Sequence, residues 1–206
     1  MIDVLVPKGG WIINEMKLPV PDTNAYNFFF KSATTIAKAL GRNEVPDVFK
    51  ILAINKDLFW RWLLFASRLM PNGELTDRER ELIILRVAWL CKSRYEWGQH
   101  VEIGQKIAKL SDKDIVNISL GAKSFSDRKE KLLILSCDEL IEHKTLSEST
   151  WNELLRWYSH KLMIEITMLI GHYEMLAGIL NSAGLKLEPV MEKYYHEFNE
   201  RIMNNE

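Results

Sequence analysis

Glycine and proline are scarce in this 206-residue chain, at ten and six, and nowhere does the two-residue alternation of a half-buried strand persist. Both absences argue against sheet architectures, and the chain reads as all-α. Cysteine is scarcer still. Cys91 and Cys137 stand far apart in apolar, helix-like contexts, which argues against a secreted disulfide scaffold and suits buried free thiols in a reducing compartment. Neither charge is in surplus: 27 Lys+Arg face 28 Asp+Glu, a formal net charge of -1 with no long block of one sign. Without a basic surface there is no counterion release to drive non-specific nucleic-acid binding. The opening MIDVLVPKGGWIINEM lacks the basic region and unbroken apolar stretch of a secretory signal. Every apolar run meets a charge before the roughly 18 to 20 residues of a membrane span. A cytoplasmic protein with neither nucleic acid nor membrane as a partner is expected.

What is present is core material, with 47% hydrophobic and 27% charged residues. At about 150 residues per domain, the length suits a single domain over 1–206. Its expected parts are an N-terminal arm (1–23), a first helical half (24–120), a second (121–188) and a C-terminal tail (189–206). Helices are predicted at about Asn24 to Leu40 (stopped by Gly41), Val48 to Ala53, and Asp57 to Met70 before Pro71-Asn72-Gly73. Thr76-Asp77-Arg78-Glu79 fits a capping box, and the helix it opens is apolar on most sides and therefore central. Further helices are expected over Tyr95 to Leu110, from Ser111, and over Asp127 to His143, Glu148 to Tyr158 and Lys161 to Ala183. The tail carries Val190, Tyr194, Phe198 and Ile202 in one stripe suited to a neighbouring chain. A fifty-residue shift lays Leu75-Thr76-Asp77-Arg78 over Phe125-Ser126-Asp127-Arg128, the mark of two unequal repeats. Seven Trp and eight Met exceed what a monomer of this size easily hides, and suit a bulky core, a pocket or a subunit interface.

The densest polar cluster within apolar surroundings is Ser93-Arg94-Tyr95-Glu96-Trp97-Gly98-Gln99-His100. Glu96 and His100 lie one helical turn apart, where a carboxylate can orient an imidazole for general acid/base work. If Lys92-Ser93 makes a tight hairpin, Glu81 approaches His100 from the preceding helix as a second carboxylate. The competing reading is an ordinary ion pair on a solvated face. Arg86 either holds an anionic substrate through a forked hydrogen bond or forms a structural ion pair. Tyr95, Ser93 and Trp97 are candidate substrate-binding residues, with core packing the rival role for Trp97. No metal is expected, because a catalytic zinc takes three protein ligands. The histidines are scattered, and only His172, beside Tyr173-Glu174, offers a third ligand to Glu96 and His100. No phosphate loop, nucleotide fingerprint or G-x-S-x-G elbow calls for a cofactor.

These residues resemble the carboxymuconolactone decarboxylase family, which includes the alkylhydroperoxidase D peroxidases. The likeness rests on Leu75-Thr76-Asp77-Arg78-Glu79-Arg80-Glu81-Leu82-Ile83-Ile84-Leu85-Arg86-Val87-Ala88 and on Tyr95-Glu96-Trp97-Gly98-Gln99-His100. It extends more diffusely to Gly171-His172-Tyr173-Glu174-Met175. The resemblance implies an alkylhydroperoxidase D-like helical fold and a homo-oligomer, a trimer or hexamer. The peroxidase branch uses a Glu, eleven residues, Cys-x-x-Cys, three residues and a His. Here Glu81 and His100 keep that frame, while Ser93 and Glu96 occupy the two thiol positions. The likeness therefore implies the thiol-free branch, with His100 as general acid/base, Glu96 or Glu81 orienting it, and a small carboxylated cyclic or lactone substrate undergoing decarboxylation or a related lyase or hydrolase step. The alternatives are a peroxiredoxin-type oxidoreductase with Cys91 as its one candidate thiol, and a non-catalytic ligand-binding or scaffold oligomer.

Overall fold

The computed structural model describes residues 5–21 and 45–204, and the helix expected over Asn24 to Leu40 lies outside them. Among the described residues there are nine α-helices and no strand: α1 (Asp47–Leu52), α2 (Lys56–Leu69), α3 (Asp77–Leu90), α4 (Arg94–Lys106), α5 (Asp112–Leu120), α6 (Arg128–His143), α7 (Glu148–Leu154), α8 (His160–Ala183) and α9 (Pro189–Asn204). The all-α expectation holds.

The capping chemistry read from the sequence sets the helix starts. Thr76 and Glu79 satisfy each other's backbone N–H at the head of α3, and Ser111 with Asp114 does the same for α5. At α6 the cap is Asp127, accepting from Glu130 N–H, so the proposed repeat is out of register by one residue at this point. α8 ends at Gly184 in the left-handed region (φ 71°), as the Gly rule anticipates. α4 stops at Lys106 and α7 at Leu154, both earlier than periodicity alone predicts. After α4 the chain turns sharply, with Lys109 at φ 57°.

α3 is the axis of the molecule. All ten residues from Glu79 to Ala88 are buried, because α4, α6 and α8 surround it. One core cluster joins α3 and α4 to α9 through Leu82, Leu85, Trp97, Tyr195 and Phe198. A second joins α3 to α6 and α8 through Ile83, Ile84, Leu133, Ile166 and Leu169. α8 is by length and composition apolar enough to cross a membrane, but Lys161, Glu165 and Glu174 interrupt it and its inner face packs into this second cluster. The tail also differs from expectation. Its buried stripe is Met191, Tyr195, Phe198 and Ile202, with Val190 exposed, and it packs on α4 of its own chain, where Glu192 pairs with Arg94 at 2.6 Å.

The arm of residues 5–21 is extended, as expected, and is tied down. Ile12 N–H donates to Lys92 O (3.0 Å), Lys17 N–H to Ala183 O (2.9 Å) and Asn14 Nδ2 to Asn181 O (2.8 Å). Trp11 packs edge-on to Trp89 and beside Trp97, with ring centroids 5.5 and 5.9 Å away. The arm therefore braces the turn from which α4 starts.

Candidate active site

The site is built on the α3–α4 hairpin. Because α3 is central, Glu81 is carried into the interior and is 1% exposed. Lys92, at φ 53°, and Ser93, whose N–H donates to Ala88 O at 2.9 Å, reverse the chain within three residues. α4 then runs back along α3 and sets His100 Nδ1 2.8 Å from Glu81 Oε2. An Nδ1–H donated to the carboxylate leaves Nε2 as the accepting nitrogen of the ring. The second oxygen, Glu81 Oε1, is buried without a partner.

Beside this pair lies a cavity of about 500 Å³, lined among others by Trp62, Met70, Glu96, His100, His172 and Tyr173. Among the described residues no Lys or Arg lines it. Burial favours the uncharged forms of Glu96, Tyr173 and His172. Burial pushes the Glu96 carboxyl well above the usual carboxylate range, and Glu96 Oε2 has no hydrogen-bond partner. The Tyr173 phenol is pushed above its ordinary value, by burial first and then by the neighbouring Glu81 and Glu96. Its hydroxyl donates to the Met70 sulfur at 3.3 Å. Burial lowers His172 to about 4, so its imidazole stays neutral. The lining residues Tyr95 and Gln99 are tied to Glu188, which accepts from Tyr95 OH (2.7 Å), Gln99 Nε2 (2.5 Å) and Asp47 N–H (2.7 Å).

Of the residues singled out in the sequence, Tyr95, Glu96 and His100 line the cavity, and Glu81 stands behind His100 as its partner. Glu96 makes no hydrogen bond to His100, so the carboxylate across the hairpin orients the ring and the one a turn away does not. Arg86 is not in the cavity. Its Nε donates to Asp138 (2.6 Å) and its Nη1 to Ile118 O (2.8 Å) and Ser119 O (3.1 Å), which ties α3 to α6 and to the end of α5. The anion-clamp expectation gives way to the structural ion pair. Trp97 is wholly buried against Trp11 and Trp89 and walls nothing. Ser93 is likewise sealed in, its Oγ without a partner. Among the described residues no three His, Cys, Asp or Glu side chains converge to hold a metal, so His172 does not complete a set with Glu96 and His100.

Cys91 caps the end of α3 outside the cavity lining, and burial together with Glu96 and Glu174 pushes its thiol up to about 12. Cys137 is buried and shifted upward as well, chiefly by burial. Sequence reasoning missed Trp62, Gln99 and Tyr173, and gave His172 only a metal role. The Gly171-His172-Tyr173-Glu174 segment carried the signal, since a His-Tyr pair on an otherwise apolar helix needs a polar surface to face.

Residues 56–126 match the carboxymuconolactone decarboxylase family. No curated protein sequence gives a significant match. Among solved structures, the chain resembles an uncharacterised peroxidase-related protein with the alkylhydroperoxidase AhpD core from Ralstonia eutropha JMP134 (TM-score 0.74, 17% identity, covering 86% of this chain and 95% of that one). It also resembles an uncharacterised peroxidase-related protein from Silicibacter sp. TM1040 (TM-score 0.66, 18% identity, 90% and 95% covered). A third similar structure is the debrominase Bmp8 in complex with 2,3,4-tribromopyrrole (TM-score 0.72, 15% identity, 90% and 98% covered). The α2–α5 region that builds the hairpin thus matches the carboxymuconolactone decarboxylase family model, and the fold around it is similar to the AhpD core.

Proposed function

We propose that this protein is an acid/base enzyme that moves a proton on a small unsaturated cyclic substrate of the lactone class, in a decarboxylation or a related lyase step. The observation that carries this reading is the 2.8 Å Glu81–His100 bond at the wall of a cavity that also holds the neutral carboxyl of Glu96. Glu81 fixes the imidazole tautomer and stabilises the imidazolium, so His100 Nε2 serves as the base. Glu96 carries the proton that a developing carbanion or enolate must receive. In decarboxylation, the bond from ring carbon to carboxylate breaks, its electron pair enters the conjugated lactone, and a proton is delivered to carbon as carbon dioxide leaves.

An aromatic-walled cavity fits a flat ring, and the similar debrominase holds a planar five-membered ring, 2,3,4-tribromopyrrole. A thiol peroxidase reading finds little support, because Cys91 is outside the cavity and its thiolate is disfavoured. A scaffold reading would want a sealed and fully bonded cluster, whereas Glu81 and Glu96 each keep an unpartnered oxygen. We further propose a cytoplasmic homo-oligomer that uses neither metal nor cofactor. The test is consumption of carboxymuconolactone and of uncarboxylated unsaturated lactones. His100→Gln is expected to lose turnover by 10²-fold or more, the ordinary worth of a general base, while Cys91→Ser keeps it. Full activity in His100→Gln, or loss in Cys91→Ser, overturns the proposal.

A further inference from the structure

A second imidazole faces the same cavity, and no hydrogen bond within the described residues accounts for it. His172 is 6% exposed and belongs to the cavity lining, and its Nδ1 is buried without a partner. Three rings fix its plane: Trp62 lies nearly parallel (19°, centroids 5.9 Å apart), while Phe65 and Tyr173 meet it edge-on at 5.5 and 5.3 Å. Tyr173 in turn stands edge-on to His100 at 5.2 Å. The two imidazoles thus flank one phenol ring, close enough for a single small ligand to reach both.

A clamped ring cannot swing to find another partner, so its tautomer follows from which unpaired atom is tolerated. A buried N–H without an acceptor is rarer in proteins than a bare lone pair. Nδ1 therefore holds the lone pair, and the proton sits on Nε2, the nitrogen left for the cavity.

Resting on the proton-transfer reading above, we propose that His172 is the electrophile of this site, its Nε2–H donating to the carbonyl oxygen of a cyclic or aromatic carbonyl substrate while His100 handles the proton. A neutral imidazole suits this work. As the enolate forms, the hydrogen bond to oxygen strengthens without a proton being lost to it, the arrangement that separates a carbonyl-polarising histidine from a general acid. The donor also names the substrate class: a ring whose carbonyl lies within one small molecule's length of the carbon deprotonated or reprotonated at His100.

The probes are acetophenone and α-methylstyrene, which share a shape and differ in C=O against C=CH2. The full-length protein is expected to bind acetophenone about tenfold tighter, the worth of one net hydrogen bond. The carbonyl stretch of bound, isotope-labelled acetophenone is expected to shift to lower frequency. His172→Phe, which keeps the ring stack, is expected to lose both effects, and His172→Gln, which keeps an N–H, to retain part of the shift. Equal affinity for the two probes, no detectable binding of either, or a carbonyl shift undiminished in His172→Phe overturns the proposal. His100→Gln is measured alongside. Its turnover reports on the proton-transfer reading, whereas its carbonyl shift, expected unchanged, reports on His172 alone.

Discussion

Acidification tests the burial of His172 in a way no contact inventory can. Its folded-state value is about 4 against about 6.5 in an unfolded chain, so between these limits the unfolded state binds the proton first. Stability contributed by the neutral imidazole is therefore complete above about pH 6.5, falls as pH drops and levels off below about pH 4. At 1.36 kcal/mol for each pH unit separating the two states, about 2.5 kcal/mol is lost between about pH 8 and pH 4.5. Little discount for solvent is due at 6% exposure. Other groups also titrate there: Glu79 and Asp114, both held at about 2 by their hydrogen bonds and ion pairs against the pull of burial, lose stability on the same side. The measurement is therefore a difference. Urea unfolding of wild type and His172→Phe at several pH values is expected to show the variant gaining about 2.5 kcal/mol on wild type as pH falls over that range. Phenylalanine keeps the Trp62 stack and cannot be protonated. Parallel stability curves would refute the claim that His172 is held neutral by burial.

Three further outcomes follow from named contacts. Glu96→Gln is expected to raise stability progressively as pH rises above about 4.5, by up to 1.4 kcal/mol per pH unit until the buried carboxyl ionises. It is also expected to lose turnover, because an amide keeps the shape but supplies no proton; calorimetry at two pH values beside a rate assay reads both. Arg86→Met is expected to cost about 3 kcal/mol by stranding Asp138 and the carbonyls that Arg86 serves. Substrate KM should stay unchanged in the folded enzyme, a result opposite to that of an anion clamp. Gly184→Ala is expected to destabilise by about 1 to 2 kcal/mol from its positive φ alone. Its new Cβ would also strike the Glu15 carbonyl, so chymotrypsin should cut the arm faster in this variant.

The parts of the fold legible in the sequence are those written locally. The Thr76–Glu79 box, Gly184 and the unbroken apolar character of α3 each act within one or two turns, and the structure follows them. The same locality made the Glu81–His100 meeting foreseeable, since a three-residue turn between two helices leaves few alternatives. Arg86 was ambiguous for the opposite reason. Its partner Asp138 lies 52 residues on, and no spacing rule says which of two faces of a fully buried helix meets it. The tail stripe was misread by one position because Tyr194 and Tyr195 both fit an amphipathic period. Packing on α4 chose Tyr195, while Tyr194 went to the rim to donate to Gln105 at 2.8 Å. His172 and Tyr173 were hardest to read, because their role depends on Trp62 and Phe65 reaching them from α2, about a hundred residues earlier.

The central claim is proton transfer at His100 without a thiol, and deuterium uptake from heavy water into the ring carbons of an unsaturated lactone measures it most directly. Wild type and Cys91→Ser are expected to catalyse uptake at equal rates, Glu81→Gln to slow it, and a folded His100→Gln to fall to the uncatalysed rate. Uptake that persists in His100→Gln, or that disappears with Cys91, would contradict the account.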